Sequence, residues 1–326
     1  MKAARVVIGL AASAFFVWAT VTRVDLGEAG QALGRATLPA LAAAFVFSWL
    51  EVGVRAWRWR YLLSPLGRVG YRQAFAYTCV GYFANALLPM RLGEVARAYL
   101  AAGKLRLPRL ATLGSIATER LFDGLVILGV ATGLGFVVLG ASDKAPLTLW
   151  VGLGLAALLV AAAGALVLSR WRGAIVSRLP DRLLRPATRL MQGTAAVRSL
   201  RGATVAAGAT LVAYLCDVGS MLAVATSVGL SLSLPQAGFA IAWIGLSTAI
   251  PAAPGSVGTY EFVGVSVLTL LNQDPASALA AVVLLHVIGT LPVALVGLAT
   301  TWALHLRVWR LASAAGEPAS LPAVGS

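Results

Sequence analysis

Basic residues in this chain are grouped between long apolar stretches, and this grouping limits the fold more than any other feature. Most of the 26 lysine and arginine residues fall into four clusters, which begin at Lys2, Arg55, Arg170 and Arg307. Lysine and arginine are enriched in the cytoplasmic loops of membrane proteins, so loop basicity indicates orientation. The sequence therefore predicts a polytopic membrane protein that has all four clusters and both termini in the cytoplasm.

The composition agrees with this prediction. Hydrophobic residues make up 59% of the 326 residues, charged residues 12%, and the mean hydropathy is +0.85. Soluble domains contain about 25% charged residues. Because the net charge of +14 comes from clusters beside the predicted spans, we expect anionic membrane lipids rather than nucleic acid as partners. Cys79 and Cys216 lie in apolar segments with no CxxC motif and no histidine nearby, so we expect no disulfide, metal site or cofactor.

Six apolar stretches are long enough to cross a bilayer as helices. They cover approximately residues 6–22, 37–54, 118–139, 147–168, 203–230 and 276–304. The basic start of the first stretch also fits a secretory signal, but the alternation of the clusters requires it to cross. The sequence predicts one all-α transmembrane domain over residues 1–310, with halves of about 1–140 and 147–310, followed by a disordered cytoplasmic tail over residues 311–326.

Two further apolar stretches are predicted to enter the membrane and return on the same side. Residues 74–88 lie between two clusters that both belong inside, and Gly81, Asn85 and Pro89 provide a break. Residues 235–274 have both ends outside and are broken within 251–258. Irregular backbone survives at membrane depth only where it is buried in protein or lines a polar cavity. Two re-entrant hairpins that enter from opposite faces predict an inverted repeat, as in many secondary transporters.

The two breaks have similar sequences. Each contains a proline and, four residues later, a glycine, and an acidic residue follows. Helix N-termini after such breaks present free N–H groups and a positive dipole end to an anion. The predicted break residues are Pro89, Gly93, Pro251, Pro254, Gly255 and Gly258.

Acidic residues inside apolar segments are the main signal for a site, because a membrane-embedded carboxylate costs at least about 2.5–3.5 kcal/mol. Glu119 and Asp123 share one face of the third span, and Arg120 is placed to pair with Asp123. A structural ion pair and a functional site both remain open. We expect a polar cavity between the hairpins that binds a lipid headgroup through Asn85, Arg91, Glu94, Arg97, Glu119, Arg120, Asp123 and Glu261.

Two other polar groups of residues have a structural and a functional interpretation. Asp217 and His286 each stand alone in a predicted span, where they are candidates for a proton relay, although a lone histidine in a bundle is more often a structural hydrogen bonder. Aromatic and cationic residues alternate after the second span and are predicted to lie at headgroup level, or simply to anchor the helix end. These residues are Arg55, Trp57, Arg58, Trp59 and Arg60.

The sequence contains none of the GxSxG, HExxH, P-loop or HxxxD motifs, and it has no soluble segment large enough to bind a nucleotide. We therefore expect that the chain is not an enzyme.

Segments 88–97, 119–123 and 251–261, together with the Trp-Arg-Trp-Arg-Tyr segment at 57–61, resemble the lysylphosphatidylglycerol synthase transmembrane-region family of flippase-like membrane proteins. The resemblance covers about residues 5–310. Long members of that family carry a cytosolic aminoacyl-transferase domain, and their membrane part is held to move the aminoacylated lipid between leaflets. The resemblance implies a stand-alone member without the synthase activity.

The leading hypothesis is a lipid translocase of the bacterial inner membrane, which moves a phospholipid or a related polar lipid between leaflets. One alternative is a secondary transporter of a small anionic solute. Another is a non-transporting membrane subunit of a lipid-synthesis system. A lipid-synthesis enzyme or a second copy of the chain are the candidate protein partners.

Overall fold

The computed structural model describes residues 2–88, 92–139, 181–248 and 253–305, together with Gly154. The described part of the chain is helical. The first helices are α1 (Lys2–Val21), α2 (Leu26–Gly34), α3 (Leu38–Leu63), α4 (Tyr71–Leu87), α5 (Leu92–Leu105) and α6 (Arg109–Leu139). The later ones are α7 (Asp181–Gln192), α8 (Leu200–Ser227), α9 (Leu234–Ser247), α10 (Thr259–Leu270) and α11 (Pro275–Ala303).

Four of the described helices, α3, α6, α8 and α11, are long and apolar enough to cross a membrane, with 26, 31, 28 and 29 residues. At a rise of about 1.5 Å per residue, each exceeds the hydrocarbon thickness of about 30 Å. Shorter apolar stretches occur at Gly9–Val21 and Leu234–Ser247. The chain thus has the helices of a multi-pass membrane protein. The span expected at 147–168 lies outside the described residues, apart from Gly154, so the number of six spans stays a prediction.

Capping side chains define where several helices begin. The carboxylate of Asp25 accepts hydrogen bonds from the first N–H groups of α2, and the hydroxyl of Ser199 does the same for α8. Ser233 and Gln236 form a capping box at α9. Asp274 caps α11, in which Pro275 occupies the first position. Each residue satisfies backbone donors that the helix leaves free, which is why the helices start there.

Helices α4 and α5 lie against each other, and residues 89–91, which connect them, lie outside the described residues. The predicted breaks at Gly81, Asn85 and Gly93 are wrong, because Gly81 and Asn85 lie inside α4 and Gly93 lies inside α5. A Cβ atom added at Gly93 would overlap the backbone of Gly81 and Asn85. The two glycines therefore serve close packing between the helices, as small residues commonly do in membranes. Pro89 lies outside the described residues.

Helices α9 and α10 form the second helix pair. Between them lies a 3₁₀ turn over Pro254–Ser256, in which Gly255 has a φ of 74°. Gly258, with a φ of 91°, precedes α10. Glycine adopts these left-handed conformations without steric cost, so the chain can redirect here. Pro251 lies outside the described residues, and re-entry of either helix pair into the membrane stays a prediction.

The contacts between helices repeat when α2 to α6 are matched in order with α7 to α11. The matched helices α3 and α8 pack on each other. The contact of α4 with α11 has its counterpart in the contact of α9 with α6, and that of α2 with α11 in that of α7 with α6. The contacts of α4 with α5 and of α5 with α6 recur as α9 with α10 and α10 with α11. This exchange of contacts is the one expected of two repeats related by a two-fold axis. The inverted repeat itself stays a prediction.

Candidate functional site

Four arginines and five carboxylates from α3, α5, α6 and α8 form one connected set of ion pairs among the described residues, here called the charged network. Helix spacing of three or four residues brings the members on α3 and on α6 to one face of each helix. The members are Glu51, Arg55, Arg58, Glu94, Arg97, Glu119, Arg120, Asp123 and Asp217.

Asp123 is the most connected carboxylate of the charged network. It accepts from Arg58 Nη1 at 2.5 Å, from Arg55 Nη1 at 3.0 Å and from Arg120 Nη2 at 3.1 Å. The sequence indicated the pair with Arg120, which is present. It did not indicate Arg55 and Arg58, because both come from α3, far away along the chain. Asp123 therefore ties α3 to α6.

Glu119 forms the deepest part of the charged network. Its side chain is 1% exposed and accepts from Arg58 Nη2 at 3.1 Å and from Arg97. The guanidinium of Arg97 also lies over the Trp59 ring, 4.3 Å from the ring centroid. The indole N–H of Trp59 donates to the hydroxyl of Ser115 at 3.1 Å. Removing these charges from water costs free energy. The ion pairs offset that cost, which an unpaired buried charge would bear in full.

Arg58 and Trp59, which were predicted to bind lipid headgroups, are buried in the protein and do not contact them. Their depth in the membrane stays a prediction. Helix α3 continues through this segment, so residues three or four apart face the interior together and their neighbours face outward. Trp57 is 43% exposed and stacks on Tyr61, and Arg60 donates to the carbonyl oxygen of Val69. Arg55, also predicted at the headgroups, belongs to the charged network.

Asp217 joins the charged network from α8. Its one ion pair among the described residues is with Arg55 Nη2 at 3.6 Å, and its side chain is 35% exposed. Arg55 also pairs with Glu51 and with Asp123. Arg55 and Asp217 lie equally far from the first residues of their helices, Leu38 and Leu200, which are matched in the helix contacts. Opposite charges thus occupy matching positions in the two halves.

A second, smaller ion pair joins α10 to α11. Nδ1 of His286 lies 2.5 Å from Glu261 Oε1, and its Nε2 lies 3.0 Å from the carbonyl oxygen of Gly255. The other oxygen of Glu261 accepts the Gly258 N–H at 2.6 Å, and Tyr260 stacks on the imidazole. Both ring nitrogens face acceptors, and only a doubly protonated imidazole donates to both. Glu261 therefore fastens the break before α10 in place.

A cavity of about 460 Å³ lies beside the charged network. Ligand sites of about 300–1,000 Å³ are typical of small molecules, so it has the size of a polar headgroup. The predicted residues that line it are Asn85, Glu94, Arg97, Glu119, Arg120 and Asp123, together with the two relay candidates Asp217 and His286. Glu261 is not among its lining residues, and Arg91 lies outside the described part of the chain.

Several polar lining residues were missed at the sequence level. They include Glu51, Arg55, Thr78, Tyr82, Thr210, Tyr214 and Tyr260. Glu51 carried a usable signal, since it is an acid inside an apolar stretch. The tyrosines and threonines carried none, because such residues are common in apolar helices. Tyr82 donates to Glu51 at 3.3 Å, and the Tyr214 hydroxyl donates to the carbonyl of Gly238.

Comparison with known proteins gives two matches. Residues 6–297 match the model of the family described as lysylphosphatidylglycerol synthase TM region. The glycosyltransferase AglD of Haloferax volcanii is 28% identical over 311 residues, which cover 81% of this chain and 49% of AglD. The chain thus spans about half the length of this relative.

The enzyme name of this relative contradicts the prediction that the chain is not an enzyme. The motifs that the sequence lacks are those of soluble enzymes, which use a nucleophilic serine, a zinc ion or a bound nucleotide. Carboxylates held between membrane helices, such as Glu119 and Asp123, belong to none of these motifs. The absence of the motifs therefore carried no information about chemistry within the membrane.

Proposed function

Because this chain belongs to the lysylphosphatidylglycerol synthase TM region family, we propose that it acts on membrane lipids and moves a polar lipid between leaflets. The substrate is a phospholipid or a related polar lipid, and the membrane is the bacterial inner membrane. The headgroup crosses through the cavity while the acyl chains stay in the bilayer.

The observation that carries this proposal is that the charged network lines a cavity between apolar helices. An ion-pair network that only fastened helices would need no adjoining space. Here the side chains of Arg120 and Asp217 are 36% and 35% exposed, and both line the cavity. Ionisable residues inside a membrane are expensive and usually mark a substrate or ion pathway. Interactions with such groups replace the favourable interactions with water that a polar headgroup loses when it enters the cavity.

The exchange of helix contacts supports the inverted repeat as part of the mechanism. If α2 to α6 and α7 to α11 are repeats with opposite orientation, the pairs α4–α5 and α9–α10 open toward opposite faces. Small movements of one half against the other would then expose the cavity to each leaflet in turn.

A proteoliposome assay tests the proposal. Fluorescent lipids with anionic, zwitterionic, cationic and glycosylated headgroups are placed in both leaflets, and a membrane-impermeant quencher reports their exchange. We expect faster exchange of at least one headgroup class than in protein-free liposomes, and loss of that exchange in Arg120→Gln. Trp57→Ala serves as a control, because Trp57 is exposed on the opposite face of α3. Exchange at the protein-free rate for every headgroup would refute the proposal.

A second candidate function is glycosyl transfer on a lipid carrier, which the name of the relative favours. Membranes that contain this chain would then incorporate labelled sugar from an activated donor into a lipid fraction, and Asp123→Asn would abolish this incorporation. Sugar incorporation that depends on the chain, in the absence of lipid exchange, would favour this function over the first.

A further inference from the structure

The charged network has one carboxylate more than it has guanidinium groups. Among the described residues, Arg55, Arg58, Arg97 and Arg120 face Glu51, Glu94, Glu119, Asp123 and Asp217. Arginine stays charged at any relevant pH, so its charge is fixed. In an apolar environment an unbalanced charge is unfavourable, and a carboxylate relieves it by binding a proton.

Asp217 is the carboxylate with the weakest compensation. Asp123 accepts from three arginines and Glu119 from two. Asp217 has one ion pair among the described residues, at 3.6 Å, to an Arg55 guanidinium that already serves Glu51 and Asp123. Glu94 also has a single long ion pair, at 3.5 Å, but its partner Arg120 serves one other carboxylate of the network, whereas Arg55 serves two. Asp217 is therefore the carboxylate of the network whose charge is least compensated.

The other groups around Asp217 do not neutralise it. Helix α3 brings Glu51 beside Arg55, and α6 brings Asp123, so two of the nearest charges are negative. Helix α9 has no ionisable residue, and α11 contributes His286, which is paired with Glu261 of α10. The hydroxyl protons of Tyr82 and Tyr214 are donated elsewhere. Within the described part of the chain, Tyr260 and Cys216 are the remaining titratable neighbours.

We propose that Asp217 is a proton-binding site in the cavity and that exchange of this proton couples lipid movement to a pH difference across the membrane. The coupling rests on the proposed translocase function, whereas the proton site does not. Deprotonated Asp217 attracts Arg55 and so strengthens the contact between α3 and α8, the two matched helices. When Asp217 is protonated, Arg55 pairs only with Glu51 and Asp123 within the charged network, and the link between α3 and α8 weakens.

Infrared difference spectroscopy tests the proton site without any transport. The protein is placed in lipid nanodiscs and moved from alkaline to mildly acidic buffer. We expect the C=O band of one protonated carboxyl in the wild type and in Asp217→Glu, and loss of that band in Asp217→Asn. The matched control Asp274→Asn makes the same chemical change at an exposed cap and should keep the band.

Two outcomes would overturn the assignment. If the band persists in Asp217→Asn, another carboxylate binds the proton. If the wild type lacks the band and Arg91→Gln gains it, Arg91, which lies outside the described residues, supplies the fifth positive charge. The band in wild type and in Arg91→Gln alike supports the proposal.

Proteoliposomes with a pH difference test the coupling. With one proton per lipid, the equilibrium ratio of lipid between leaflets should change about tenfold per pH unit in the wild type. This dependence should vanish in Asp217→Asn. If lipid exchange by the wild type does not depend on the pH difference, the coupling is refuted and the translocase function still stands. An absence of any exchange would instead refute the translocase and with it the coupling, while the infrared band would still decide the proton site.

Discussion

Arg120 in α6 and His286 in α11 lie equally far from the start of their helices, and each pairs with a glutamate in the first turn of the preceding helix. The partners are Glu94 at 3.5 Å and Glu261 at 2.5 Å. Because α6 and α11 match each other in the helix contacts, the two ion pairs are counterparts. The first half has a permanently charged arginine where the second has a histidine.

Topology is the first prediction. The basic clusters should hold their loops inside, so reporters fused at Arg68, Lys104, Arg189 and Arg310 should report the cytoplasm. Fusions at Glu28, Lys144 and Asp274 should report the outside. If Arg68 and Lys104 are found on opposite faces, the pair α4–α5 is not re-entrant, and the inverted orientation of the halves fails with it.

Removal of Asp123 should destabilise the fold strongly. Asp123→Ala removes one carboxylate from the buried Arg58, which keeps Glu119, and one from the partly buried Arg55, which keeps Glu51 and Asp217. Breaking a buried pair costs about 3–5 kcal/mol. The exchange Arg120→Asp with Asp123→Arg should not restore stability, because Arg58 would then face an arginine. Thermal unfolding in detergent measures both variants, with Trp57→Ala as a surface control. Restoration by the exchange would mean that the contacts of Asp123 with α3 contribute little.

Two glycines of α5 offer a matched test of helix packing. Gly93→Ala should destabilise the protein by about 1–3 kcal/mol, because its Cβ would overlap the backbone of α4. At Gly103 the added Cβ meets no other described residue within 4 Å beyond its own helix backbone and chain neighbours, so Gly103→Ala should be neutral or stabilising by up to about 1 kcal/mol. Thermal unfolding compares the two. Equal effects would contradict the close approach of α4 and α5.

Glu94 should affect transport more than stability. Its described ion pair is long, at 3.5 Å, and Glu94 lines the cavity. We expect Glu94→Gln to slow lipid exchange at least several-fold while the melting temperature stays near that of the wild type. Parallel measurement of exchange and unfolding decides this. If the melting temperature falls together with the rate of lipid exchange, Glu94 belongs among the structural residues.

Glu261 should affect the structure more than transport, because it holds the backbone break before α10 through His286 and Gly258. Glu261→Gln weakens the charge-assisted contact with His286 and should loosen the turn. A cysteine placed at Ser256 should then react faster with a maleimide than in the parent protein. A cysteine at the exposed Ser231, ahead of α9, serves as the control site. Unchanged labelling at position 256 would argue against this fastening role.

The sequence was informative about individual charges and uninformative about their partners. Glu119, Arg120 and Asp123 were identified because acids in apolar segments need compensation, and all three line one cavity. Their partners Arg55 and Arg58 were assigned to the headgroups, because alternating aromatic and basic letters look the same whether a segment ends at the surface or continues as a helix. Only the packing of α3 on α6 and α8 distinguishes the two cases.

Glycine was misinterpreted for a similar reason. Gly81 and Gly93 suggested a break, yet both lie in regular helix. Gly81 of α4 faces α5, and Gly93 of α5 faces α4. One glycine permits an unusual backbone conformation, and another permits the close approach of two helices. The sequence alone does not distinguish these two roles. Gly255 and Gly258, by contrast, do adopt positive φ angles.

The matching positions of Arg55 and Asp217 bear on how such a molecule could arise from a duplicated ancestor. Residues next to a two-fold axis meet their own counterparts, so two identical halves joined through α3 would place arginine against arginine. An aspartate in one copy turns this repulsion into attraction, as the 3.6 Å contact shows. With that change each half is complementary to the other at this position, whereas neither half is complementary to a copy of itself. Fusion into one chain would then preserve the pairing, because separated halves could assemble only with the unlike copy.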